Sequence, residues 1–184
     1  YLQKNIFMSL LVVGTVAFDA IETPFGKTDK ITGGSGNYIC QSAGHFTNDM
    51  QLVSVVGDDF DQDELAYLKS IGTDIEGIQV KEGEKSFFWS GKYHMDLNRR
   101  DTLVTDLNVL AAFDPILPEK YKDSEFLILG NIDPSLQAKV IAQMTARPKL
   151  IAMDTMNFWM DIALEPLKTV LKMVDLLIVN EEEA

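Results

Sequence analysis

Gly33-Gly34-Ser35-Gly36-Asn37, followed by the run Tyr38 to Phe46, is the stretch on which the reading of this chain turns. Three glycines in four residues rule out the interior of a strand or helix, because glycine loses more backbone freedom on ordering than any other residue. The run that follows carries Ile39, Ala43 and Phe46 near helical spacing, which predicts a helix over Asn37 to Thr47. Ahead of it, Leu10-Leu11-Val12-Val13 reads as a buried strand. The order is therefore strand, connection, glycine turn, helix. A helix starting on bare glycines offers its first N–H groups to an oxygen-rich ligand. The plainer reading is a turn that only starts a helix, and the turn taken alone favours it.

The chain outside this stretch has ordinary globular composition: 184 residues, 46% hydrophobic and 24% charged. That suffices for one sizeable core and a small appendage. A net charge of −12 disfavours nucleic acid and anionic membranes as partners. Cys40 is the single cysteine, which excludes an intramolecular disulfide and points to a reducing, cytoplasmic compartment. No apolar run has the length of a membrane span, and no signal-peptide pattern is present. Tyr1 to Phe7 precede Met8, a natural start, and read as an upstream remnant.

Strand and helix signals alternate along most of the chain. Met8 to Val13 and Gln51 to Val56 read as buried strands, with Thr15 to Asp19 extended and Pro24 to Lys30 a polar link or hairpin tip. Asp59 or Asp61 caps a helix that runs to about Ile71, and Gly72 ends it in the left-handed conformation. The texture then changes. Ile75 to Val80, Ser86 to Tyr93 and Asp101 to Asp106 follow one another with no helix between, so they are expected to pair antiparallel as a small added sheet. Phe87, Phe88, Trp89 and Tyr93 give that sheet more apolar surface than a lone hairpin covers, so it must close on the main body, a ligand or another subunit. Alternation resumes with strands at Phe126 to Leu129, Leu150 to Met153 and Leu176 to Val179, and helices at Pro134 to Ala146 and Asp161 to Met173. This predicts an α/β fold: a three-layer, Rossmann-like parallel sheet formed by 8–74 and 107–184, with a small β-sheet lid at 75–106. The alternation stops at Ala184, directly after a strand, which predicts that a C-terminal part is missing.

In such a sheet ligands gather beyond the carboxyl ends of the strands. Gly14 and Asp19, Gly57-Asp58-Asp59, Gly130-Asn131, Asp154-Thr155-Met156-Asn157 and Asn180-Glu181-Glu182-Glu183 all follow strands. Asp and Asn can bond sugar hydroxyls, and Glu can hold Mg²⁺ directly or through water. Any one of them alone reads as a cap or solvated loop; their shared rim is the signal. His45, His94, Arg99 and Arg100 read as packing or solvated residues, and Phe158-Trp159 as core. There is no Walker A loop, no Cys/His metal spacing and no Gly-x-Ser-x-Gly elbow.

Together these residues resemble the ribokinase-like (PfkB) family of carbohydrate and nucleoside kinases. The resemblance runs from Met8 to Ala184. It is carried by Val13-Gly14-Thr15-Val16-Ala17-Phe18-Asp19, the Gly33-Gly34 turn, Ser54-Val55-Val56-Gly57-Asp58-Asp59-Phe60, Asp154 to Trp159 and Asn180-Glu181-Glu182-Glu183-Ala184. It implies transfer of the γ-phosphoryl group of ATP, with Mg²⁺, to a sugar-like hydroxyl. By that likeness Asp19 binds substrate hydroxyls and Gly33-Gly34 let the backbone close on the sugar. Asn180 and Glu183 match the family's Asn-x-x-Glu motif, which organises Mg²⁺ and the nucleotide phosphates. The lid would exclude water and form a homodimer contact. Family members usually carry Asn four residues after the second glycine, where this chain has Tyr38. Its Asn37 stands one place early, about 100° away around a helix, and is the candidate substrate-binding residue there. The family's Gly-Ala-Gly-Asp segment, which holds the anion hole and the aspartate base, does not occur in these 184 residues. The resemblance therefore implies a sugar kinase whose N-terminal portion this is, inactive by itself. A nucleoside kinase of the same family and a non-catalytic sugar-binding or dimerisation module are the alternatives.

Overall fold

The computed structural model describes residues 8–181, 183 and 184; Tyr1 to Phe7 and Glu182 lie outside the described residues. In chain order the strands are β1 (Leu10–Val13), β2 (Ala17–Thr23), β3 (Gly26–Lys27), β4 (Ile31–Gly33), β5 (Met50–Gly57) and β6 (Thr73–Lys81). They continue with β7 (Phe88–Tyr93), β8 (Arg100–Asp106), β9 (Phe126–Leu129), β10 (Leu150–Asp154) and β11 (Leu176–Ile178). The helices are α1 (Ser35–Ala43), α2 (Gln62–Ser70), α3 (Pro134–Gln143), α4 (Asn157–Ile162) and α5 (Leu164–Leu171).

Leu10 to Val13 are buried at every position, and β1 lies inside a six-stranded sheet of order β11-β10-β9-β1-β5-β6. Every neighbouring pair in it is parallel. The side-chain alternation of β1 separates two cores. Leu11 and Val13 join Val53, Leu127, Ile151 and Met153 under Val140, Leu167 and Val170 of α3 and α5. Leu10 and Val12 join Met50, Leu52, Cys40, Leu65 and Leu68 under α1 and α2. Burying both faces of a parallel sheet under helices gives three layers, and it explains the continuous apolar runs of the strands. The segment between β8 and β9, which carries no sequence signal of its own, packs through Val109, Phe113, Leu117 and Tyr121 into the first of these cores.

The second sheet is five-stranded, with β3-β2-β7-β8 in order and β4 also on β2. Here the structure corrects the expected pairing. Residues 75–80 do not pair antiparallel with 86–93: β6 runs parallel to β5 at the edge of the main sheet. The physical reason is the helix between them. Asp61 caps α2 through a 2.9 Å bond to the amide of Asp63, and Gly72 (φ 91°) closes it, so β5-α2-β6 is a β-α-β unit whose strands must be parallel. The turn at Gly83 then carries the chain to the second sheet. There β7 runs parallel to β2 and antiparallel to β8, so the aromatic hairpin closes on the strand that carries Asp19.

The expected helix over 161–173 is two helices that meet at Ala163, because Pro166 suits the first turn of a new helix and not the interior of a longer one. α1 stops at Gly44, and Phe46 is exposed. Among the described residues no helix is long and apolar enough to cross a membrane.

Candidate functional site

The start of α1 is built on top of the sheet by glycine. A Cβ on Gly14 would stand 2.8 Å from Ser35 Oγ and from the amide of Gly36, and one on Gly130 would stand 2.6 Å from the same Oγ. Both residues follow strands, so the ends of β1 and β9 are packed directly against the helix start. The loop after β1 then folds back. The carbonyl of Thr15 accepts from the amides of Gly36 (2.9 Å) and Asn37 (3.4 Å), and its Oγ1 accepts from the amide of Ser35 (2.9 Å). The N–H groups that the sequence suggested were free for a ligand are therefore spent on Thr15, and the plainer reading of the turn holds for them.

The glycine pair has a different use. Gly34 adopts φ 96°, and a Cβ there would collide with the carbonyl of Thr15. Gly33 pairs with Ala17, two residues before Asp19 on β2. A Cβ on Gly33 would collide with the Asp19 carboxylate, so that side chain lies in the space left by the missing methyl. Asp19 and the two glycines are thus brought together. Partial burial pushes the Asp19 carboxyl up to about 6. The Tyr38 phenol is also raised, first by burial and then by the neighbouring charges of Asp19 and Tyr93; its hydroxyl donates to the carbonyl of Thr32 at 3.4 Å. Asn37 is only 1% exposed. Its Oδ1 accepts from Gln41, and its Nδ2 is buried without a partner.

A second cluster lies where β10 and β11 end. Asn180 and Glu183 hold each other reciprocally: Asn180 donates from Nδ2 (2.8 Å) and from its amide (3.1 Å) to the Glu183 carboxylate. Asn180 Oδ1 accepts in turn from the amide of Glu183 (3.1 Å). Asp154 closes β10. Burial first, and the charge of Glu183 second, push its carboxyl up to about 7, and its Oδ1 is buried without a partner. Neither Asp154 nor Glu183 takes part in an ion pair among the described residues. One or two carboxylates, completed by phosphate and water, are the kind of donor set that Mg²⁺ takes in phosphoryl-transfer sites, so these two side chains are of a type that could hold it. No three His, Cys, Asp or Glu side chains among the described residues form a closed metal cage.

Several contributors carry no sequence signal of function. Gln137, fully buried in α3, donates from Nε2 to the carbonyls of Gly130 (3.0 Å) and Asp154 (3.1 Å), and so ties the ends of β9 and β10. A polar residue on the apolar face of a helix is the one trace it leaves in the sequence. Trp159, expected in the core, belongs instead to a helix with no buried residue. Its indole donates to Asn131 Oδ1 at 2.8 Å, at the rim just past β9. Gly57-Asp58-Asp59 makes internal contacts to the chain between β6 and β7. His94 pairs with Asp101 at 3.1 Å and Arg99 with Asp96 at 2.7 Å, both exposed.

An open parallel sheet between two helical layers, with the Asp19 carboxylate on the adjoining second sheet and the Asp154 and Glu183 carboxylates past β10 and β11, defines a three-layer α/β protein. The chain belongs to the pfkB family of carbohydrate kinases, whose model matches residues 8–184. Among curated proteins it is similar to a cytidine kinase from Thermococcus kodakarensis, 26% identical over 181 residues, which are 96% of this chain and 63% of that protein. Its fold is similar to that of the nucleoside kinase of Methanocaldococcus jannaschii (TM-score 0.71, 21% identity, 96% of this chain and 62% of that one). It is also similar to that of an Escherichia coli protein assigned as a ribokinase II and solved with ATP and Mg²⁺ (TM-score 0.71, 19% identity, 95% of this chain and 63% of that one). The chain spans less than two thirds of the length of these relatives.

Proposed function

We propose that this chain carries the acceptor-binding part of a kinase that phosphorylates a hydroxyl of a ribose-like sugar, using ATP and Mg²⁺. The observation that carries the reading is the Asp19 carboxylate lying against Gly33 within the second sheet. With a carboxyl near 6, Asp19 is mostly ionised at neutral pH, and its half-buried setting strengthens the hydrogen bonds it accepts from vicinal hydroxyls. Gly33 and Gly34 keep the backbone low enough for a sugar ring to approach. Asn37, on the helix that starts at the glycine pair, is a further candidate contact through its unpartnered Nδ2.

Asn180 and Glu183 are the residues for the nucleotide phosphates, and Glu183 with Asp154 would hold Mg²⁺. When bound, MgATP supplies the phosphoryl group and neutralises its charge. The second sheet is the lid that keeps water from competing as acceptor. Leu103 and Val104 on β8, both exposed, suit it to pairing with a second copy. No residue of this chain takes the part of catalytic base in this reading, and these 184 residues by themselves are expected to bind an acceptor without turning it over. The single cysteine suits a reducing, cytoplasmic setting.

One observation favours a nucleoside over a free sugar: the Tyr38 phenol lies within electrostatic reach of both Asp19 and Tyr93, and an aromatic ring beside Asp19 suits a base attached to the ribose. Calorimetric titration with ribose, fructose, ketodeoxygluconate, adenosine and cytidine separates the two readings. Replacing Asp19→Ala should weaken the tightest of these about 10- to 100-fold, the range for a hydrogen bond to a charged group. Unchanged affinity would remove Asp19 from the site, and the reading with it.

A further inference from the structure

In the stretch Gly57-Asp58-Asp59-Phe60, which closes β5, Asp58 and Asp59 bond to the chain between β6 and β7. Asp59 Oδ1 accepts from both the amide and the hydroxyl of Ser86, each at 2.7 Å. Ser86 Oγ accepts in turn from the amide of Gly57 at 3.0 Å, and the Ser86 carbonyl accepts from Asn108 at 2.9 Å. The other oxygen of Asp59 faces Lys30 Nζ at 4.0 Å, and that ammonium stands 3.7 Å over the ring of Phe18. Phe18 stacks on Phe60 with centroids 4.9 Å apart.

These contacts meet on one strand. Ser86 leads into β7 and Lys30 into β4, the two strands that flank β2 near Asp19. Phe18, next to Asp19, is gripped between Phe60 and Lys30, and its amide donates to the carbonyl of Phe87 at 2.9 Å. We propose that Asp59 is a positioning residue for Asp19: it ties both neighbours of β2 to the end of β5 and so holds the acceptor-binding carboxylate over Gly33. The inference rests on the acceptor-binding reading of Asp19 given above. Asp59 is not itself a substrate contact; it acts through Ser86, Lys30 and Phe18. A shift of about 1 Å at a binding group is enough to cost one to two orders of magnitude in function.

The test joins a binding measurement to one that needs no ligand. The titration of the Asp19 carboxyl carbon is followed by nuclear magnetic resonance in the wild type, Asp59→Asn and Asp59→Ala, and ribose and cytidine are titrated calorimetrically. Loosening β2 admits water to Asp19, so in Asp59→Ala its midpoint should fall from about 6 toward the ordinary value near 4. Acceptor affinity should fall by about tenfold. Asp59→Asn, which keeps an acceptor for Ser86 and loses the attraction for Lys30, should lie between. An Asp19 midpoint that stays put in Asp59→Ala overturns the proposal. If that variant does not fold, Ser86→Ala and Lys30→Met each sever one tie and are read the same way. A wild type that binds neither probe refutes the acceptor reading alone; the Asp19 midpoint then still decides whether Asp59 positions it.

Discussion

Replacing Asp154→Asn removes an ionisable group from the end of β10 while keeping its shape. In the folded chain this carboxyl titrates near 7, raised by burial and by Glu183; in an unfolded chain an aspartate titrates near 4. Below about pH 4 both states are protonated and the group contributes nothing. Between about 4 and 7 the unfolded chain is ionised and the folded one is not, so each pH step of one costs the wild type about 1.4 kcal/mol, and above 7 the cost is constant. From pH 5 to 8 the ceiling is therefore about 2.7 kcal/mol, and water reaching the carboxylate reduces it to about 1–2 kcal/mol. The assay is urea unfolding of wild type and Asp154→Asn at pH 5 and pH 8, in buffer with a chelator. The stability difference should move in favour of Asp154→Asn as the pH rises, whatever the amide itself costs at pH 5. Excess Mg²⁺ at pH 8 should narrow the gap, since a cation between Asp154 and Glu183 stabilises the ionised wild type. A difference that is the same at both pH values would refute the burial argument. A gap indifferent to Mg²⁺ would remove the cation site.

Two glycine substitutions separate binding from stability. Gly33→Ala pushes its methyl into the Asp19 carboxylate, so calorimetry should show acceptor affinity reduced about tenfold or more, with a stability loss of about 1–3 kcal/mol by denaturant titration. Gly34→Ala forces an L side chain to φ 96° and against the Thr15 carbonyl; its melting transition should fall by the equivalent of about 2–4 kcal/mol, and a melting point within error of the wild type would count against the loop geometry.

The inner strands of the main sheet were legible because helices cover both of its faces, so Leu10 to Val13 and Phe126 to Leu129 read as continuous apolar runs of strand length. The α1 start was legible because three close glycines admit few structures. The strand over 73–81 was legible as a strand but not as a partner of β5, since it lies at the sheet edge with one side open and its local pattern does not differ from that of a hairpin arm. Trp159 read as core because an aromatic pair carries the same signal whether it packs inward or bonds to Asn131 at the rim.

What the residues determined unaided was the set of elements, their alternation and the polar character of the strand ends, because propensity, capping and burial are properties of short windows. What only the tertiary structure decided was which of those polar ends share a space. Asp19 needs Gly33 across a hairpin, Asp154 needs Glu183 from the turn after the next strand, and the amides of α1 are taken by Thr15, twenty residues before that helix. Each is a contact between residues distant in sequence, set by strand order and register, and no local pattern encodes those.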